Sequence, residues 1–82
     1  MELKIGQVVK SVAGHDKGDL LVIAGFENEK ALVCDGKHRK LDKPKCKNPK
    51  HLQETDMLLE ADSMATNKML RKTLNKIANP GG

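Results

Sequence analysis

Val9-Lys10-Ser11-Val12-Ala13-Gly14-His15-Asp16-Lys17-Gly18-Asp19-Leu20-Leu21-Val22-Ile23-Ala24-Gly25 carries two β-forming runs joined by a short polar loop. Gln7 to Val12 reads as a strand, bounded by Gly6 and by Ala13-Gly14. Asp19 to Ala24 is denser in apolar residues, short enough for a buried strand, and bounded by Gly18 and Gly25. The two runs are expected to pair. Their connection, Gly14 to Gly18, has the length of a longer hairpin loop, and its glycines permit backbone angles that a side chain would oppose.

Outward from this hairpin the pattern repeats. Glu27-Asn28-Glu29 is a polar turn, and Lys30 to Cys34 is a third strand. Asp35-Gly36 is a two-residue hairpin signal. It predicts a return through Lys37 to Leu41, a basic strand that contributes little beyond Leu41 to a core and therefore belongs at an edge or on a solvated face. Pro44 and Pro49 interrupt pairing, so Lys43 to Lys50 is expected as an extended loop or irregular edge. His51-Leu52-Gln53 then supplies a short closing strand. Five short strands in about fifty residues, joined by tight turns, predict a mainly β fold, a small SH3-like barrel.

Beyond Glu54 the strand pattern ends and acids balance bases. Leu70, Leu74, Ile77 and Ala78 recur at helical spacing, Thr66 or Asn67 can cap, and Asn79-Pro80-Gly81 supplies a stop. A C-terminal α-helix over about 67–79 follows; alone it is too short for stability and must dock. Met57-Leu58-Leu59 is compatible with linker, strand or a first helical turn. The expected division is a barrel over 1–55 and a linker with helix over 56–82.

The chain has 82 residues, one aromatic (Phe26) and a formal charge of +4. That length bounds a single small core. The near absence of aromatic rings excludes the stacking platforms with which many single-strand RNA modules read bases. Between Lys37 and Lys50 stand seven basic residues against Asp42 alone, a local +6 that leaves −2 for the rest. Such asymmetry indicates a polyanion-binding face. No apolar run approaches a membrane span, and Met1-Glu2-Leu3-Lys4 does not open as a signal peptide, so a cytoplasmic protein with reduced Cys34 and Cys46 is expected, away from membranes.

The basic candidates are Lys37, Arg39, Lys40, Lys43, Lys45, Lys47 and Lys50. In an extended backbone Lys43, Lys45 and Lys47 would point the same way about 7 Å apart, a row able to follow phosphates. Gly14, His15, Lys17 and Gly18 form a candidate loop in which small residues allow close approach and Lys17 reaches a phosphate. Cys34, His38, Cys46 and His51 have zinc-type donors, but their spacing lacks the close pairs of zinc motifs, so no metal or other cofactor is expected. His15-Asp16 has no accompanying nucleophile, and adjacent turn residues rarely converge on one atom, so no enzyme is expected. The methionines read as packing.

In order, Gly6-Gln7-Val8-Val9, Ala13 to Gly18, Asp35 to Lys40 and Lys50-His51-Leu52 resemble the small bacterial KOW-domain RNA-binding proteins related to KOW-containing large-subunit ribosomal proteins of archaea and eukaryotes. The likeness covers about the first fifty-two residues, with Gly14, Lys17 and Gly18 at the motif's characteristic positions. Asp19 departs from it, since many members carry a basic residue there. The resemblance implies an SH3-like barrel and binding to structured RNA, most plausibly ribosomal, in a ribosomal or translation-associated accessory protein. It is compatible with contacts to ribosomal proteins and with a monomer when free. The reading from another class is an SH3-like protein-interaction module that docks an acidic partner of the transcription or translation machinery.

Overall fold

Two valine-rich and leucine-rich runs form the middle of an antiparallel sheet in the computed structural model, which describes residues 3–79. In chain order the elements are β1 (Gln7–Ser11), β2 (Leu20–Glu27), β3 (Lys30–Cys34), β4 (Lys45–Lys47), β5 (Leu52–Leu58) and α1 (Asn67–Ala78). Single 3-10 turns at Pro49–His51 and Ala61–Met64 precede β5 and α1. The sheet order is β4-β3-β2-β1-β5. β1 and β2 pair as expected, with Val8 opposite Val22 and Val9 opposite Leu21.

The connection between the edge strands sets the curvature. β4 and β5 lie at opposite edges, about 19 Å apart if the sheet were flat, yet four residues, Asn48 to His51, join them. Three of those are wound into a 3-10 turn, which advances only about 2 Å per residue. The sheet must therefore curl. No β4–β5 ladder closes it among the described residues, so the mainly β fold with a C-terminal helix is present while the expected barrel is an open, curled sheet.

Both faces of the central strands are buried, which is why Leu20-Leu21-Val22-Ile23 does not alternate with polar residues. Val9, Leu21, Ile23, Ala31, Val33 and Leu52 form one cluster, inside the curl. Val8, Val22 and Cys34 face the other way, and Leu70 and Leu74 of α1 cover them. The helix thus docks on its own sheet. Thr66 caps it, its hydroxyl accepting from Met69 N–H at 3.1 Å. Asn67, the other candidate cap, instead accepts at Oδ1 from Leu41 N–H at 2.7 Å. Of the stop signal, Pro80 and Gly81 lie outside the described residues.

Three sequence expectations change. Lys37 to Leu41 is not a strand: Asp35 Oδ1 accepts from the N–H groups of Lys37 and Arg39 at 2.9 and 2.8 Å, and Asp35 and Gly36 N–H donate to Arg39 O, winding 35–39 into a tight loop. The edge place passes to Lys45–Lys47, the irregular-edge alternative expected for this segment, because Pro44 and Pro49 flank rather than interrupt those three residues. β5 extends to Leu58, taking in Met57, and Leu59 N–H continues the tie to β1 by donating to Gly6 O at 2.8 Å.

Candidate nucleic-acid interface

The β1–β2 loop is pinned rather than loose. Gly18 N–H donates to Ser11 O at 2.8 Å and Lys17 N–H to Gly14 O at 3.2 Å, with both glycines at positive φ. Gly14, His15, Lys17 and Gly18 are all exposed on it. Asp16 turns inward: its Oδ1 accepts from Lys47 Nζ at 2.6 Å and lies 2.9 Å from Ser11 Oγ. Lys47 Nζ also donates to Ala13 O at 3.0 Å, so one ammonium ties the loop to β4. Burial alone would raise the Asp16 pKa, but the hydrogen bonds from Lys47 and Ser11 and the lysine's charge prevail and hold it at about 2.

Lys47 is therefore a structural cation. Its side chain is 6% exposed and that of Asp16 11%. The cause is register: Lys45 stands opposite Val33 and Lys47 opposite Ala31, so both point toward the side of the sheet on which Val33 and Ala31 are buried. The alternation expected of Lys43, Lys45 and Lys47 holds for the last two, but it aims them at the core margin. Inward charge on an edge strand discourages edge-to-edge pairing. Lys45 is half-buried, its stem able to cover apolar surface while the ammonium reaches water.

The other basic candidates are outward. Lys37, Lys40, Lys43 and Lys50 are exposed and Arg39 is half-buried. Among the described residues Lys47–Asp16 is the sole ion pair within 4 Å, which leaves Lys17, Lys37, Arg39, Lys40, Lys43, Lys45 and Lys50 without a carboxylate partner. Lys37 and Lys50 lie in separate hollows. Lys37 shares a hollow with His38, Asp19 and, from α1, Arg71 and Asn75. Lys50 lies apart, beside the β2–β3 turn with Lys30 and Glu29.

Asn75 and Lys30 were not among the sequence candidates. Helical spacing put Arg71 and Asn75 four residues apart on one flank, but only the docking of α1 sets that flank beside Lys37. Cys34 is buried beneath the helix, where desolvation and the nearby Asp35 charge push its thiol up to about 11; Cys46 is exposed, and both are free. Among the described residues no three His, Cys, Asp or Glu side chains are grouped to hold a metal, and no helix is long and apolar enough to cross a membrane. No protein-family model and no curated protein matches the chain.

Proposed function

We propose that this chain binds structured RNA through its phosphate backbone, as a ribosomal or translation-associated accessory protein with an SH3-like, KOW-type fold. The observation that carries the reading is the set of seven outward or half-buried cations that, among the described residues, no carboxylate neutralises, while the paired Lys47 is used internally. The fold assignment is supported by the strand order and by the single 3-10 turn between the two edge strands. Lys37, Arg39, Lys40 and Lys43 come from one loop, which Asp35 holds by hydrogen-bonding backbone rather than side chains. The Asp35 carboxylate thus shapes the loop without pairing its cations. With Phe26 the only aromatic residue, recognition depends on RNA shape and backbone more than on base identity.

Binding of a structured ribosomal RNA fragment, followed by fluorescence anisotropy across a salt series, tests this. If about five phosphates are engaged, log K falls against log salt with a slope near −3.5 to −4.5. A flat salt response removes the proposal. Reversing Lys37, Lys40 and Lys43 to glutamate is expected to abolish binding; retained RNA affinity with loss of an acidic protein partner would favour the interaction-module reading instead.

A further inference from the structure

We propose that the hollow between α1 and the loops at Asp19–Leu20 and Asp35–His38 receives one unpaired nucleotide extruded from the bound RNA, with an amino-bearing base preferred. This rests on the RNA reading above and adds a site to it. The apolar lining of the hollow is Leu20, Leu74 and Ala78. Lys37, Arg71, Asp19 and Asn75 are among its polar lining. Asp35 is occupied by its own loop, whereas the Asp19 carboxylate, both cations and the Asn75 amide N–H groups have no hydrogen-bond partner among the described residues.

Size and chemistry agree. The hollow measures about 240 Å³, below the roughly 300–1,000 Å³ of sites for larger ligands, so it suits a single small group. Lys37 and Arg71 can take the phosphate, and a guanidinium plane can lie against a base where aromatic rings are lacking. Asp19 accepts from an exocyclic amine such as that of cytosine. Uracil has no exocyclic amine and can offer that carboxylate only its ring N3–H, flanked by two acceptor oxygens. A base held in a duplex cannot enter, so the hollow distinguishes a bulge from a continuous helix.

The test uses the full chain and three hairpins at one salt concentration: fully paired, with one bulged cytidine, and with one bulged uridine. The cytidine bulge is expected to bind about five- to tenfold tighter than the paired stem, the gain of one or two net polar contacts, with uridine between. Ala78→Phe fills the hollow without removing charge and should bring the bulged-to-paired ratio to about one, circular dichroism confirming the helix. Asn75→Ala, at an exposed position, should lower the same ratio and serves if the phenylalanine disturbs folding. Equal affinity of the unmodified protein for paired and cytidine-bulged stems overturns the site while leaving RNA binding intact. A ratio that survives both variants overturns it too. Binding to no hairpin removes the RNA reading and this site with it. Free cytidine monophosphate separates the two sources of a nucleotide: weak competition agrees with a nucleotide held in a chain, and abolition of the preference at micromolar concentration contradicts it.

Discussion

Gly36 sits against the first turn of α1 at φ +79, where an added Cβ would collide with the Asn67 carbonyl oxygen and come within 3.0 Å of Arg71 N. Gly18 has a similar φ of +93 but open space around it. The pair separates backbone strain from crowding. Gly18→Ala should cost about 1–2 kcal/mol, the left-handed penalty alone, and Gly36→Ala about 3 kcal/mol or more once overpacking is added; urea unfolding measures both. Lys47→Met leaves Asp16 buried without its cation and should cost about 2–3 kcal/mol, at or just below the usual range for a broken buried pair because the site lies at the sheet margin. Combining it with Asp16→Asn should recover most of that loss. The Asp16 pKa is lowered from 3.8 to about 2, so its contribution to stability, on the order of 2 kcal/mol, is complete above pH 4 and fades as pH falls toward 2. Asp16→Asn should flatten acid unfolding over that window. The sequence showed that Lys45 and Lys47 share a direction, but the direction itself depends on which side of β3 they pair with.

The β2–β3 hairpin turns on Asn28 and Glu29, both at positive φ, 49° and 65°. Asparagine tolerates that region and glutamate does not, and the favoured pair for such a turn is Asn-Gly. Glu29→Gly is therefore expected to stabilise the protein by about 0.5–1 kcal/mol, raising the melting temperature by a few degrees. The same dipeptide logic failed at Asp35-Gly36, where a turn formed but no strand followed. Its carboxylate bonds to the next N–H groups, and Gly36 is taken up by contact with a helix thirty residues later. Strand β4, flanked by two prolines, was legible only as an extended loop or irregular edge. Helix α1, with its cap and apolar spacing intact, was legible nearly to the residue.

Across the molecule, α1 is a wall of the core rather than an appendage. Its Leu70 and Leu74 complete the cluster begun by Val8, Val22 and Cys34, and the radius of gyration, 11.4 Å, is close to the roughly 12 Å expected of a chain this long packed as one body. Leu70→Ala should cost about 2–5 kcal/mol. Ending the chain at residue 60 exposes the whole apolar face and should abolish cooperative thermal unfolding; a truncated chain that still melts sharply would show that the curled sheet stands alone. Only at this scale does Arg71 join Lys37, since their separation of 34 positions is closed by docking.

Local chemistry alone determined the order of most strands, the first hairpin, the helix, and the concentration of positive charge between Lys37 and Lys50, because turns and periodicity act over a few neighbouring residues. Which edge β4 takes, which way its lysines face, and that Lys47 closes on Asp16 while Arg71 meets Lys37 were decided by the curl of the sheet and the seat of the helix. Those contacts join residues far apart in the chain, and only the burial of both sheet faces brings them together.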